Sequence, residues 1–481
     1  MARAAIAFPQ VMIRWPSRRH LHDNVAVRRF ALLVTLALTG CAHTSARSSA
    51  DEALAAKIDA LAGDLVDKTP AVGVSVAVAR HGRLVVARGY GWADLARHTP
   101  VDAATVFRIG SITKQLTAAA IVQLAAAHRL GLDDDVRRWL PDYPTRGQTI
   151  TLRQLLTHTS GVADYEHAPW FEQHMAERRP RQELVASFAA APLDFAPGTK
   201  WSYSNSGYYL LGLIVERVTG QPWADYVRDQ VLAPARVRDV RDCPDEQDYR
   251  HAARGYEVDA HHERVNAKPI VMAHAYAAGG LCATAPALVA WSRALGHGRV
   301  VDAAAWRAMT TPVTLADGSH FGYGFGLFIG DFGGHRAIFH GGGVNGFASA
   351  LASYPDDDLE IAVLVNTEGG FADDLAESIA RVALGVAPVA PADVPLPADE
   401  GAALAGRYLV PIASLTLLVE VHDGKLAAHK EGDPASPLLR QPDGSFIAEN
   451  GGRFVFHRDG QRVSGFTYSI HGAAFEATRL P

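Results

Sequence analysis

The spacing of hydrophobic residues changes its period along the chain, and each period predicts a different element. Between residues 51 and 66, leucine and isoleucine recur on one face of a helix. Valines then alternate from Val72 to Val78, His81-Gly82 supplies a turn, and residues 84–87 are again apolar, which is typical of a β-hairpin. The sequence therefore predicts a helix followed by two paired strands.

The middle of the chain has helical spacing, and strand patterns return after residue 320. A helix is expected from Ile112 to a C-cap near Gly131, residues 133–310 are mostly helices and loops, and residues 371–384 are helical again. Four short apolar segments predict strands at 323–329, 337–339, 347–354 and 359–365. We expect an α/β sandwich: an antiparallel sheet built from both chain ends, with N- and C-terminal helices, joined to a mostly helical domain.

The pattern changes a last time beyond residue 386. Prolines are concentrated between residues 387 and 399, which predicts an interdomain linker. From residue 400 to 481 the hydrophobic period is two, and turn-forming pairs occur at Asp423-Gly424, Asp443-Gly444, Asn450-Gly451, Asp459-Gly460 and His471-Gly472. This segment is predicted to be a small antiparallel β domain that closes, or nearly closes, into a barrel.

The first forty residues have the order of a secretory signal. Basic residues precede an apolar run at residues 30–38, which is too short to cross about 30 Å of hydrocarbon. Leu38-Thr39-Gly40-Cys41 resembles a bacterial lipobox, which implies that residues 1–40 are removed, that Cys41 carries lipid and that residues 41–51 are a tether. We expect a periplasmic lipoprotein, with Ala42 favouring the outer membrane; an ordinary signal peptide and secretion are the alternatives.

Charge and cysteine content exclude some classes of protein. The chain has 46 basic and 51 acidic residues, and its body beyond the basic N-terminal segment is more acidic still, so nucleic acid is not an expected partner. A hydrophobic content of 48% excludes wholesale disorder. In an exported protein, Cys243 and Cys282 either pair in a disulfide or remain two buried thiols, and their spacing does not decide.

Two segments carry residue types that support nucleophilic catalysis. Gly110 precedes Ser111 at a predicted helix start, where free N–H groups favour a developing alkoxide, and Lys114 lies one turn later on the same face. A partly desolvated lysine amine can take the proton of a serine hydroxyl. Tyr203 and Asn205 lie in a Gly- and Ser-rich loop before another helix, where a phenol beside an amine can transfer protons.

A third segment, residues 339–347, contains His340-Gly341-Gly342-Gly343, and its glycines allow a backbone to approach a ligand closely. In this order, the three segments resemble the serine β-lactamase and penicillin-binding-protein superfamily. The most similar branch contains class C β-lactamases, D,D-carboxypeptidases, D-aminopeptidases and carboxylesterases. Residues 155–161 and 278–284 also match segments that are usual in the family, so the resemblance covers about residues 52–385, and we expect the hydrolase domain at residues 52–386.

The resemblance implies a role for each matched position. Ser111 would be the acylated nucleophile, Lys114 its proton acceptor and Tyr203 the general base or proton relay. Asn205 would position the substrate amide. The oxyanion hole would use the backbone N–H groups of Ser111 and Gly343, and His340 and Gly342 would belong to the same substrate-binding segment.

His340 stands where β-lactamases usually have lysine. An imidazole with an ordinary pKa of about 6.5 is mostly uncharged at neutral pH. The sequence therefore predicts that substrates with a free carboxylate gain binding only as the pH falls towards that value. Neutral esters and D-aminoacyl amides should be preferred to β-lactams.

These observations predict a serine hydrolase that cleaves small esters or D-amino-acid peptides through an acyl-enzyme. The alternatives are a β-lactamase or D,D-carboxypeptidase acting on β-lactams or stem peptides, and an inactive ligand-binding lipoprotein. Histidine and carboxylate residues do not cluster at metal-binding spacing, so we expect neither a metal nor a cofactor.

Overall fold

The structure is a computed structural model that describes residues 49–246, 251–259, 261, 263–387, 392–410, 415–430, 435–448, 452–460, 462–470 and 473–480. The helices are α1 Ser49–Lys68, α2 Thr113–Ala126, α3 Leu152–Leu156, α4 Pro169–His174, α5 Arg181–Ala189, α6 Asn205–Thr219, α7 Trp223–Tyr226, α8 Met272–Gly279, α9 Ala285–Gly296, α10 Ala303–Met309, α11 Phe371–Leu384 and α12 Ala398–Leu404. The strands before residue 390 are β1 Gly73–Arg80, β2 Arg83–Asp94, β3 Thr99–Pro100, β4 Phe107–Arg108, β5 Val240–Asp242, β6 Tyr256–Val258, β7 Arg264–Asn266, β8 Leu281–Ala283, β9 Val313–Thr314, β10 His320–Phe321, β11 Phe328–Phe332, β12 His335–Val344, β13 Phe347–Tyr354 and β14 Leu359–Val365. Those after it are β15 Gly406–Val410, β16 Leu415–His422, β17 Lys425–Lys430, β18 Ser436–Arg440, β19 Phe446–Ala448, β20 Arg453–Asp459, β21 Arg462–Ile470 and β22 Ala473–Arg479.

Seven of the described strands form one antiparallel sheet in the order β11-β12-β13-β14-β1-β2-β3. The pair β1 and β14 joins the two ends of the domain, with a register that runs from Val74 opposite Val365 to Arg80 opposite Leu359. The prediction of an antiparallel sheet built from both chain ends is therefore confirmed.

The alternating valines of β1 explain how the layers stack. Val74, Val76 and Val78 share an apolar cluster with α1 and α11, whereas Ala77 and Ala79 face the cluster that contains α2 and α9. Since strand side chains alternate between faces, the small alanines let α2 and α9 pack close to one face of the sheet, and the branched valines pack against α1 and α11 on the other. The sheet is thus a middle layer, buried on both faces.

The predicted boundaries of three secondary-structure elements differ from those in the structure. Helix α2 ends at Ala126 rather than near Gly131, because His128 adopts a left-handed conformation with a φ of 53°. Strand β11 begins at Phe328 rather than at residue 323, since Gly326, with a φ of 71°, turns the chain beside the carbonyl of Lys114. Strand β12 does not end at its glycines but pairs with β13 through Gly343 to Val344.

The N-terminal boundary of the described structure also differs from the prediction. Helix α1 begins at Ser49, so the last part of the predicted tether, residues 41–51, is helical. The predicted signal peptide and Cys41 lie outside the described residues. No helix in the described parts of the chain is both long and apolar enough to cross a bilayer.

The C-terminal segment forms the predicted β domain. Eight of the described strands, β15 to β22, close into a barrel. Asp-Gly pairs make the turns at residues 423–424, 443–444 and 459–460, with each glycine at positive φ; the other two predicted turns contain residues that the structure does not describe. A short helix that the sequence analysis missed, α12, precedes the barrel, and its Leu404 packs into the barrel core.

Cys243 and Cys282 form a disulfide between the end of β5 and strand β8. Strand β8 also pairs with β4, which leads directly to Gly110. The covalent link therefore lies in the small sheet beneath the segment that carries Ser111.

The barrel core provides a test of whether residues 400–481 fold as a separate domain. Phe466 is fully buried and contacts the rings of Tyr408, Phe454 and Phe456 at centroid distances of 5.0–5.4 Å. We expect Phe466→Ala to destabilise the barrel by about 3–5 kcal/mol because it leaves a cavity. In differential scanning calorimetry, the wild type should show two transitions, and only one should shift.

The matched control is Val455→Ala, which truncates a side chain that is 40% exposed on β20. It should leave both transitions near their wild-type temperatures. A single transition that moves as a whole in Phe466→Ala would show that the barrel and the remainder unfold together, and the predicted boundary at residues 387–399 would be wrong.

Candidate active site

Ser111 lies on a short 3₁₀ turn, Gly110–Ile112, that leads into α2. Gly110 has a φ of 48°, and a Cβ atom on it would lie 2.7 Å from the carbonyl oxygen and 2.8 Å from the nitrogen of Gly343. A side chain is therefore excluded both by conformation and by space. Glycine at position 110 allows the turn with Ser111 to lie against strand β12.

Strand β12 makes the reciprocal approach at Gly342. A Cβ atom there would clash with the carbonyl oxygen of Ile109 and lie 3.0 Å from the nitrogen of Ser111. The structure thus brings the predicted residues Gly342 and Gly343 against the backbone of Ser111. The backbone nitrogens of Ser111 and Gly343 therefore lie at one junction, where an oxyanion hole needs its donors.

Lys114 lies directly behind Ser111 and is fully buried. Its Nζ atom is 2.9 Å from Ser111 Oγ, 2.7 Å from Asn205 Oδ1 and 2.9 Å from the carbonyl oxygen of Ala278. Burial lowers the pKa of Lys114 from its ordinary 10.5 to about 7, although the nearby carboxylates of Glu166 and Asp164 oppose the shift. An amine with this pKa can accept a proton from Ser111 near neutral pH.

Tyr203 lies on the other side of the same amine. Its ring centroid is 4.7 Å from Lys114 Nζ, and its hydroxyl hydrogen-bonds with the Ser111 side chain. Desolvation raises the pKa of Tyr203 well above its ordinary 10. The phenol therefore keeps its proton, and of the two roles that the resemblance implies, proton relay fits this geometry better than general base.

Asn205 is held by a residue that the sequence analysis missed. One Asp164 oxygen accepts hydrogen bonds from the backbone nitrogen of Asn205 at 2.9 Å and from Nδ2 at 3.1 Å. The amide oxygen is thereby turned towards Lys114. An acidic residue shortly after the 155–161 segment was the available signal, but only the fold places it next to the loop of Asn205.

Glu166 is a second missed residue. Its side chain lines the cavity in front of Ser111 and is exposed there. Partial desolvation at the cavity wall, together with the charge of Asp164, raises the pKa of Glu166 above its ordinary 4.5. A carboxylate here can meet a positively charged group on a bound molecule.

His340 is buried and does not behave as the sequence predicted. Its Nε2 atom is 3.1 Å from the hydroxyl of Tyr323, and its Nδ1 atom hydrogen-bonds with the carbonyl of Gly341. Burial and the charge of Lys114 lower the pKa of His340 from its ordinary 6.5 to about 3. The expected gain in carboxylate binding between pH 8.5 and 5.5 is therefore wrong, because this imidazole stays neutral throughout that range.

The site opens into a cavity of about 720 Å³. Its lining, within the described part of the chain, has three carboxylates and neither lysine nor arginine; the carboxylates are Glu166, Glu368 and Asp373. Tyr165 lines it as well, whereas Trp201 packs between His158 and Phe321. One wall comes from the C-terminal barrel, where Phe475 of β22 reaches the cavity.

Comparison with known proteins agrees with this geometry. The family model described as Beta-lactamase matches residues 58–384. The D-aminopeptidase of Brucella ovis is 29% identical over 354 residues, a match that spans 72% of this chain and 65% of that protein.

Solved structures are similar over the same region and beyond it. The D-amino acid amidase from Ochrobactrum anthropi SV3, complexed with D-phenylalanine, is 26% identical with a TM-score of 0.61, covering 69% of this chain and 99% of that one. The crystal structure of SurE is 29% identical with a TM-score of 0.61, covering 90% of this chain and all of that one. The predicted resemblance is confirmed: the chain belongs to the β-lactamase family, within the superfamily of serine β-lactamases and penicillin-binding proteins.

Proposed function

We propose that this protein is a serine hydrolase that forms an acyl-enzyme on Ser111 and cleaves D-aminoacyl amides, D-amino-acid peptides or small esters. The observation that carries the proposal is the contact of 2.9 Å between Ser111 Oγ and the fully buried amine of Lys114. A serine hydroxyl is a weak nucleophile until a neighbouring base takes its proton. The depressed pKa of Lys114 makes it such a base at neutral pH.

The geometry supports a two-step reaction. Neutral Lys114 accepts the Ser111 proton as Oγ attacks the substrate carbonyl, and the N–H groups of Ser111 and Gly343 stabilise the oxyanion. The proton then passes through the Tyr203 hydroxyl to the leaving amine or alcohol, whose bond to the carbonyl carbon breaks. Water then attacks the resulting ester of Ser111 and gives its proton to Lys114. The bond between the acyl carbon and Ser111 Oγ breaks as Lys114 returns that proton to Oγ, and the acid leaves.

The charge of the cavity favours a substrate with an ammonium group. Glu166, which opens into the cavity, can pair with the α-ammonium of an aminoacyl substrate. β-Lactams and the C-termini of stem peptides carry a carboxylate, which the three carboxylates of the cavity would repel. The names of the D-aminopeptidase and D-amino acid amidase relatives support the same substrate class.

The alternative of an inactive binding protein has less support. Ser111, Tyr203 and Asn205 all contact the amine of Lys114, and Asp164 holds the amide of Asn205 in place. A protein that only bound a ligand would have no need of a buried lysine with a depressed pKa. Burying such a group costs free energy, and catalysis accounts for the cost.

Ser111→Ala tests the nucleophile. The variant should lose all covalent labelling by a fluorophosphonate, and turnover of a D-aminoacyl p-nitroanilide should fall by several powers of ten. Intact-protein mass spectrometry measures the labelling. Ser187→Ala, whose hydroxyl bonds to the carbonyl of Leu184 on α5, is the control and should label normally. Full labelling of Ser111→Ala at another serine would contradict the proposal.

Glu166→Gln tests the substrate class. We expect kcat/KM for D-alanine p-nitroanilide to fall about 10- to 100-fold, since a hydrogen bond to a charged group contributes roughly 1.5–3 kcal/mol. Short-chain p-nitrophenyl esters, which lack an amine, should be much less affected. Glu172→Gln, an exposed change on α4, is the control and should alter neither substrate. Equal losses on both substrates would refute an ammonium site at Glu166.

The pH profile of the ester reaction follows from Lys114. Ester kcat/KM should rise with pH through about 7, because the amine must lose its proton before it can act as base. The charge of Glu166 raises the pKa of Lys114, so Glu166→Gln should move this rise to lower pH. Stopped-flow rates between pH 5.5 and 9 measure the shift. A rise that stays in place, or moves to higher pH, would contradict the assignment of Lys114 as the base.

We also propose a periplasmic location with a lipid anchor on Cys41, and the support for it is the sequence of residues 28–41 alone. Cys41→Ser should release the protein from the membrane fraction and remove the lipid mass from its N-terminal peptide. Cys282→Ser, which affects the disulfide instead, should leave the lipid in place. Membrane association without lipid on Cys41 in the wild type would disprove the anchor.

A further inference from the structure

His158 is a buried residue in a conformation that few side chains adopt. Its φ is 58°, in the left-handed region, and it is 1% exposed. Its carbonyl oxygen accepts a hydrogen bond from the nitrogen of Ser202 at 2.9 Å, and its Nδ1 atom accepts one from the nitrogen of Ser204 at 3.1 Å. His158 thus holds the backbone on both sides of Tyr203, and its ring lies 4.3 Å from the Tyr203 ring.

The opposite edge of the imidazole continues the hydrogen bonding towards strand β12. His158 Nε2 is 3.1 Å from the hydroxyl of Tyr323, and this hydroxyl is 3.1 Å from His340 Nε2. His340 Nδ1 then bonds to the carbonyl of Gly341. All three side chains are at least 97% buried. These hydrogen bonds form a series that runs from Ser204 through His158, Tyr323 and His340 to Gly341. We call this series the buried chain.

The two ends of the buried chain determine its direction. The N–H of Ser204 can only donate, so His158 carries its proton on Nε2 and donates to Tyr323. The carbonyl of Gly341 can only accept, so His340 carries its proton on Nδ1 and presents a lone pair on Nε2. The Tyr323 hydroxyl therefore accepts from His158 and donates to His340. With both imidazoles neutral, each of these bonds joins one donor to one acceptor.

Neutral imidazoles agree with the electrostatics of the site. Burial and the charge of Lys114 lower the pKa of both histidines. For His158 the partners alone exclude a second proton, because it would face the N–H of Ser204. For His340 the neutral form also requires the burial of the ring, because the Tyr323 hydroxyl has Tyr208 as a further hydrogen-bond partner. The direction of the buried chain thus follows from its hydrogen-bond partners together with the burial of both rings.

We infer that His158 is a positioning residue that couples the proton-relay loop to the oxyanion strand through Tyr323 and His340. One end of the buried chain holds Tyr203, and the other end is the residue before Gly342 and Gly343. The inference rests on the proposed function, because it concerns the geometry of that reaction. The proton relay and the oxyanion donors matter most in the transition state. Displacing them by disrupting the buried chain therefore lowers kcat more than it raises KM.

Two variants cut the buried chain at different points. Tyr323→Phe removes the hydroxyl between the histidines. His158→Asn keeps an oxygen that can accept from Ser204 but does not reach Tyr323. Each should lower kcat for a D-aminoacyl p-nitroanilide about 100-fold and change KM less than threefold. The double variant should be no slower than the slower single variant, because both changes break one connection.

The matched control is Tyr408→Phe in the barrel. Tyr408 is also fully buried, and its hydroxyl donates to the carbonyl of Leu404. This change should leave kcat and KM unaltered. Active sites are counted by fluorophosphonate titration, so that rates refer to folded enzyme. Losses that multiply in the double variant, or a rise in KM with kcat retained, would overturn the inference.

A measurement without turnover separates this inference from the proposed function. In wild-type protein labelled with ¹⁵N in the histidine rings, long-range ¹H–¹⁵N spectra distinguish the two tautomers, and the His158→Asn and His340→Gln variants assign the signals. We expect His158 protonated on Nε2 and His340 on Nδ1 between pH 5.5 and 8.5. The opposite tautomer in either ring would overturn the buried chain. Failure of the proposed function would instead appear as a wild type that neither turns over substrate nor labels at Ser111.

Discussion

The burial of the Lys114 amine is the constraint on which the rest of the site depends. A full charge at 0% exposure would cost several kcal/mol, so the fold lowers the pKa of the amine and surrounds it with oxygens. Those oxygens belong to Ser111, Asn205 and Ala278, which lie far apart in sequence. Helices α2, α6 and α8 must therefore pack at fixed positions to satisfy one nitrogen. The contacts that position the base also hold the helical layer together.

A second constraint is the close approach of two backbones. The turn before α2 and strand β12 are in contact at Gly110 and Gly342, where any side chain would clash. Strand β12 nevertheless continues through its glycines, because β13 pairs with it as far as Val344. The sheet thus supplies a rigid edge at the site, and the glycines let that edge approach Ser111. Rigid supports of this kind hold donors in place without reorganisation during the reaction.

The cavity in front of Ser111 combines features from parts of the chain that share no local pattern. Glu166 follows the 155–161 segment, Asp373 lies on α11, and Phe475 belongs to the barrel. The barrel therefore contributes to the site, since its Phe475 forms part of the cavity wall. Its own interior is filled by aromatic side chains such as Tyr408, Phe446 and Phe466. The substrate space of the protein lies outside the barrel.

The sequence by itself was sufficient for elements whose signal is local. Valine alternation predicted the hairpin, helical spacing predicted α11, and Asp-Gly pairs predicted turns of the barrel, because these patterns reflect backbone preferences of a few neighbouring residues. The motifs around Ser111, Tyr203 and His340 could also be identified from the sequence. Each contains or adjoins glycine, which close approach of two backbones requires in any context.

Only the tertiary structure decided the properties that depend on distant neighbours. Asp164, Glu166 and Tyr323 have no motif of their own, and the groups that they bind or influence, Asn205, Lys114 and His158, belong to other segments. The error about His340 has the same origin. Its imidazole was expected to titrate near its ordinary pKa, but the partners that bury it and hold both ring nitrogens come from other segments. Desolvation is a property of the packed interior, and no stretch of sequence specifies it alone.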